Sequence, residues 1–144
     1  MYSFRKSKKG FTLIELMVVV VIIGILALLG LRLYLTQIGK SDDALAKANA
    51  GTVQTTLQGN LADEDAVTLN NRWTVTGTPG SLIDETGIHN PMTKDIQATA
   101  PVRNGGTAGD VWVEFDDSDD IFYINARDHT GLLNVYETDL VAKY

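Results

Sequence analysis

Residues 10–31, GFTLIELMVVVVIIGILALLGL, decide how this chain is built. From Phe11 to Leu31 only Thr12 and Glu15 interrupt an apolar run of 21 residues. As a helix the run is about 31 Å long, enough to cross the hydrocarbon core of a bilayer. The valines and isoleucines between Val18 and Ile25 would favour a strand in water. Lipid reverses that preference, because a strand edge inside a bilayer leaves peptide groups without partners and a helix satisfies them internally.

Before the run stand Arg5, Lys6, Lys8 and Lys9. The positive-inside rule holds such a cluster on the cytoplasmic side, so the expected orientation is N-in and C-out. Downstream, LALLGLRLYLT at 26–36 has no A-x-A pattern of a secretory cleavage site, so the apolar core is expected to stay with the mature chain. Glu15 is the costly residue. A carboxylate costs about 2.5–3.5 kcal/mol at the centre of a membrane helix, less near the interface, and needs a partner or a wet position. Arg32 is simpler, since its long side chain can snorkel to the headgroups.

Helical patterning continues past the membrane edge. DDALAKANAGTVQTTLQGNL at 42–61 carries acidic residues near its start and a Val53, Leu57, Leu61 ladder spaced by four. The expectation is one nearly continuous helix from about Thr12 to Gln58, weakened at Gly39 and Gly51 and stopped by Gly59–Asn60, about 70 Å long. A membrane helix followed by a separate soluble helix is the alternative, with the break at Gly39, Lys40, Ser41 and Asp42. Residues 59–110 read as loops with one or two minor strands or turns, around islands such as WTVTG at 73–77 and SLIDETG at 81–87. DVWVEF at 110–115, DIFYIN at 120–125 and LLNVYE at 132–137 suit a three-stranded antiparallel meander. So small a sheet needs cover, and the upper part of the long helix supplies it. The fold class is therefore α+β, with Leu45, Val53, Leu57, Trp112 or Val113, and Phe122 or Tyr123 as core candidates. Three regions follow: a basic leader at 1–10, a transmembrane or filament-core helix at 11–40, and the rest of the helix with a globular head at 41–144.

The 144 residues are 44% hydrophobic and 21% charged, with 12 Lys plus Arg against 18 Asp plus Glu and a formal charge of -6. Beyond Lys40 the balance is 17 acidic to 6 basic, which argues against nucleic acid as the main direct ligand. The absence of cysteine excludes disulfides and thiolate metal sites. His89 and His129 lie 40 residues apart with no H-E-x-x-H, triad signature or phosphate loop, so no enzyme chemistry is expected. At most, His129 forms a local pair with Asp128. Asp116, Asp117, Asp119 and Asp120, around Ser118, are oxygen donors of the kind Ca²⁺ takes, and calcium is the one cofactor candidate. Their spacing does not match an EF-hand loop, and a solvated hairpin turn accounts for the same residues. GIHNPMTK at 87–94 reads as a turn around Asn90–Pro91.

The junction KKGFTLIELMVVVVIIGILALLG resembles that of the type IV prepilins: a short basic leader ending in Gly10, then Phe11, then Glu15 four residues on. The resemblance implies a membrane prepilin peptidase that cuts between Gly10 and Phe11 and N-methylates Phe11. It also implies that Glu15 neutralises the N-terminal amine of a neighbouring subunit during assembly. The implied product is a homo-oligomeric helical filament, a type IV pilus serving adhesion, motility or DNA uptake. An inner-membrane assembly platform and ATPase would build it, drawing the precursor from the inner membrane to the cell surface. Loss of Arg5, Lys6, Lys8 and Lys9 with the leader takes the formal charge from -6 to -10.

Pilins resembling this chain commonly have a proline near the point where the apolar helix emerges. Here Arg32 stands in that region, leaving Gly24, Gly30 and Gly39 as candidate soft points. Asn90–Pro91 weakly resembles the major pseudopilins of type II secretion systems, whereas LLNVYETDLVAKY lacks their glycine- and aspartate-rich calcium-loop ending. A major or minor pseudopilin stays open as an alternative, as does an uncleaved single-span membrane-anchored binding protein. The choice between major and minor pilin, the adhesion target and the filament geometry also stay open.

Overall fold

The computed structural model describes residues 10–74, 86–97 and 105–143. Helix α1 (Leu13–Asn60) runs unbroken through Gly24, Gly30, Gly39 and Gly51, so the two-helix alternative is set aside. The chain divides after Gln37 into two units. In the first, every described residue up to Gln37 is exposed, including the whole apolar run.

The second unit, from Ile38, holds the core. Its share of α1 contributes Ala46, Ala50, Val53 and Leu57, a buried stripe stepping by four, three and four residues. Leu45, an expected core residue, is about half exposed because it stands one position off that stripe. The alanines at 46 and 50 fill the stripe instead. Leu61 is buried just past the helix end.

Residues expected to be loop or minor strand include a second helix, α2 (Ala66–Thr74). Asp65 is its N-cap: its carboxylate accepts from the Thr68 amide and the Thr68 hydroxyl, both at 2.8 Å. Those bonds hold the Asp65 carboxyl below the usual carboxylate range. Arg72 reaches back to Glu64 at 2.8 Å, and Ala66 and Leu69 are buried against the core. Thus Trp73 and Thr74 of the WTVTG island are helical, while residues 75–77 and 81–85 of the two islands lie outside the described residues.

The sheet has the order β1–β2–β3, all antiparallel: β1 is Val111–Asp116, β2 is Ile121–Ala126 and β3 is Leu140–Lys143. The first two strands fall one residue from the expected spans. The third does not, for 132–137 is a loop in which Asn134 makes one isolated bridge to Arg127. The cause is Asp128, whose Oδ1 accepts from the amides of Thr130, Leu132 and Leu133, each at 3.2 Å, and closes a polar loop where the strand was expected.

Val111, Val113 and Phe115 share one face of the sheet with Phe122, Ile124, Ala126 and Ala142, and these pack with the α1 stripe. Trp112 and Val113 are both buried, on opposite faces, and the Trp112 indole donates to Asn134 at 3.2 Å. Phe122 is fully buried and Tyr123 half-buried. Each large apolar side chain so buried contributes about 1.5–3 kcal/mol.

Glutamine side chains bond to the backbone at both sheet edges. Gln54 and Gln58, one turn apart on α1, donate to the carbonyls of Val141 and Lys143 at 2.8 and 2.7 Å, and the Lys143 amide donates to Gln58 at 3.4 Å. On the other edge the buried Gln97 amide pairs with both peptide groups of Val111, at 2.6 and 2.9 Å.

Asn90 orders the lead-in to β1. Its Nδ2 donates to the Ala108 carbonyl at 2.9 Å and to Asp110 at 2.7 Å, while its Oδ1 accepts from the Met92 and Thr93 amides at 2.7 and 3.2 Å. Gly109 is required here. Its φ is 83°, and a Cβ on it would lie 2.7 Å from the Asn90 oxygen.

Candidate processing and assembly site

Gly10 and Phe11 precede the first turn of α1, both exposed, with Phe11 83% accessible. Its chain neighbours aside, no described residue lies within 4 Å of a Cβ built on Gly10. The basic residues at 5–9 lie outside the described residues.

Glu15 has a geometric role that the sequence reading overlooked, although Thr12-Leu13-Ile14-Glu15 has the T-x-x-E spacing of a capping box. The Thr12 amide and hydroxyl donate to Glu15 Oε2 at 2.9 and 2.7 Å, and the Glu15 amide donates to the Thr12 hydroxyl at 3.3 Å. Such a cap is worth about 1 kcal/mol and satisfies amides that a helix end leaves open. One carboxylate oxygen takes both bonds, which leaves Oε1 to accept from another group. Cleavage after Gly10 would create an amine on Phe11, at the positive end of the α1 dipole. That cation is unfavourable beside its own helix and suited to a carboxylate such as Glu15.

From Leu13 to Leu35 the apolar side chains of α1 are all exposed, most by more than half. The helix is long and apolar enough to cross a membrane, and its most apolar stretch is wholly unburied within the chain. Arg32 lies in this exposed surface, and its carbonyl accepts from the Thr36 hydroxyl at 3.1 Å.

The remaining candidates separate. Asp117, Ser118, Asp119 and Asp120 form the exposed β1–β2 turn, with Asp116 Oδ1 accepting the Ser118 amide at 2.9 Å and Asp120 at a φ of 55°. Among the described residues no group of three or more His, Asp or Glu side chains is placed to hold a metal ion. His129 pairs with Asp43 of α1 and not with its neighbour Asp128: its amide donates at 2.7 Å, and its Nδ1 lies 3.0 Å from both carboxylate oxygens. Asp128 is occupied by its own loop. Burial works to raise its carboxyl, and hydrogen bonds from Thr130, Leu133 and Leu132 prevail and lower it. The His129 ring rests on Gly39, which explains a buried glycine in the middle of a helix.

Residues 5–31 match the family model described as the prokaryotic N-terminal methylation motif. Beyond that segment, the type IV major fimbrial protein FimA of Dichelobacter nodosus is 38% identical over 114 residues, covering 72% of this chain and 71% of the relative. The chain belongs to the type IV pilin family. A second type IV major fimbrial protein FimA of the same organism is 43% identical to this pilin over 59 residues, 41% of this chain and 38% of the relative. No solved structure matches it.

Proposed function

We propose that this pilus structural subunit is made as an inner-membrane precursor, oriented N-in by its basic leader, and cut between Gly10 and Phe11. The peptidase that cuts it then methylates Phe11. The assembly platform and its ATPase draw the mature chain out of the membrane into a filament, in which the exposed half of α1 forms the core.

The observation that carries this reading is the run of exposed large apolar side chains from Phe11 to Ile38. Lipid covers it before assembly and other copies of the same helix cover it afterwards. At about 25 cal/mol per Å², stacking that surface on its neighbours supplies the cohesion. Glu15 then acts on register. Oε1, free of the cap, receives the Phe11 amine of an adjacent subunit and offsets the cost of carrying two charges into an apolar core. The name of the relatives, major fimbrial protein, supports a pilus over a secretion pseudopilin.

Mass spectrometry of the N-terminus of protein sheared from cells tests the reading. A mature chain beginning at methylated Phe11 is the expected result. Retention of Met1–Gly10 in filaments would overturn it.

A further inference from the structure

Arg32 is the only charged residue between Glu15 and Lys40, and it stands inside an apolar surface, not at its end. Leu31 before it is 56% exposed, and Leu33, Tyr34 and Leu35 after it are 72%, 63% and 60% exposed. Apolarity alone therefore does not fix where α1 leaves lipid. Arg32 is itself exposed, and its guanidinium has no hydrogen bond or ion pair with any described residue. A cation so placed needs an anion or a wet interface. Its position along the helix says where that interface lies. Leu13, the first helical residue, and Arg32 are about 28 Å apart at about 1.5 Å per residue, close to the hydrocarbon core of about 30 Å.

We propose that Arg32 holds the phosphate of a lipid headgroup in the outer leaflet of the inner membrane and so sets the depth of the precursor, an inference that rests on the N-in precursor reading. The planar guanidinium offers paired N–H donors that match two phosphate oxygens. Tyr34, two residues on, has the apolar ring and polar tip that favour the same depth. With Arg32 at the outer face, Leu13 reaches the inner face, and Gly10 and Phe11 emerge from lipid at the level of a membrane peptidase. Glu15 and Arg32, about 25 Å apart, then lie just inside opposite interfaces. The helix cannot slide either way without taking one of the two charges deeper into hydrocarbon. Without the arginine the uncharged stretch would run from Leu16 to Gly39, about 36 Å, longer than the core. The helix would then sink toward the cytoplasm until Leu33, Tyr34 and Leu35 lay in lipid and Glu15 in water. That movement carries the Gly10–Phe11 bond about one turn, or about 5 Å, away from the membrane face.

The chain has no cysteine, so one fluorophore can be attached at Leu35→Cys and its depth read by quenching with brominated lipids. The full chain is reconstituted in phosphatidylcholine vesicles and in vesicles of digalactosyl diacylglycerol with the same acyl chains, which match in net charge but lack phosphate. In phosphatidylcholine the fluorophore is expected at headgroup depth, about 5 Å further out than when Arg32→Leu is added. Arg32→Lys, which keeps a cation on a long stem, moves it less. In the galactolipid, the chain with Arg32 intact takes the depth of Arg32→Leu. Should Arg32→Leu fail to reconstitute, Arg32→Gln is read in its place. Equal depth with and without the arginine overturns the inference. So does an outer position kept in galactolipid, which assigns Arg32 to water and not to phosphate. In cells, pulse-chase labelling should show leader cleavage severalfold slower in Arg32→Leu, and an unchanged rate overturns the role in setting register. An unsubstituted chain that is never cut between Gly10 and Phe11 removes the precursor reading, while the vesicle depths stand on their own.

Discussion

Two glycines in the same helix should answer differently to alanine. A helix-interior Gly→Ala change gains about 0.5–1 kcal/mol from lost unfolded-state freedom. At Gly51 nothing lies within 4 Å of the new methyl group, so Gly51→Ala is expected to show the full gain. At Gly39 the methyl would lie 2.9, 3.0 and 3.2 Å from Cδ2, Nε2 and Cγ of His129. The ring must withdraw, and with it the 3.0 Å contacts to Asp43. The His129 side chain is 44% exposed, so that pair is worth about 1 kcal/mol and not the larger value of a buried one. The gain at Gly39 is therefore cancelled or reversed, and the two variants should differ by about 1–2 kcal/mol. Denaturation of the full chain in detergent at neutral pH measures this, followed by near-UV circular dichroism because the buried Trp112 reports the head while the apolar half of α1 keeps its far-UV signal. With His129→Ala in the background, Gly39→Ala should recover the gain seen at Gly51. Equal stabilisation by Gly39→Ala and Gly51→Ala in the unsubstituted chain would refute the reasoning.

Other expectations follow from single contacts. Glu15→Gln keeps an acceptor for the Thr12 cap but loses the charge, so leader cleavage should persist while the yield of sheared pili collapses; normal pilus yield counts against an ionic role. Asn90→Asp sets an oxygen where Nδ2 met Ala108 and Asp110, and should destabilise the head by about 2–4 kcal/mol at neutral pH in urea titrations. Gln54→Ala with Gln58→Ala should speed amide exchange in Leu140–Lys143 and leave β1 protected, each lost bond being worth about 0.5–1.5 kcal/mol net. Asp65 and Asp128 have carboxyls below the usual range when folded. Their contribution is complete above the unfolded value of about 3.9 and disappears as pH falls through the lower folded value. Denaturation midpoints should therefore drop below about pH 4, less steeply in Thr68→Ala, where Asp65 loses its hydroxyl donor.

The parts of the fold readable in the sequence are those with local causes. An uncharged apolar run makes a helix wherever water is absent, and the Val53, Leu57, Leu61 spacing identifies a buried stripe without knowledge of its partner. Val111–Asp116 and Ile121–Ala126 show their β-rich composition directly. The third strand is misplaced by its composition because Leu132, Leu133, Val135 and Tyr136 look like a strand, whereas LVAK acquires its state only by pairing with Ile121–Ile124. Helix α2 is hidden in AVTLNNRWT, whose threonines and asparagines are weak helix formers. Asp65 ahead of it is the one local sign, and burial of Ala66 and Leu69 decides the matter. The partner of His129 lies 86 residues away in Asp43, beyond any reading of neighbours. At the candidate site Gly10, Phe11 and Glu15 are legible because the motif is contiguous, and the capping role of Glu15 is present in its spacing to Thr12.

Glutamines that occupy strand edges also bear on how identical heads coexist at close quarters. Bare peptide groups on Val141, Lys143 or Val111 would offer each copy a template for zipping onto the next, and a backbone-to-backbone union of that kind does not readily come undone. With the Val141 carbonyl and the peptide groups of Lys143 and Val111 bonded to Gln54, Gln58 and Gln97 inside each chain, main-chain fusion between neighbours loses its foothold at those groups.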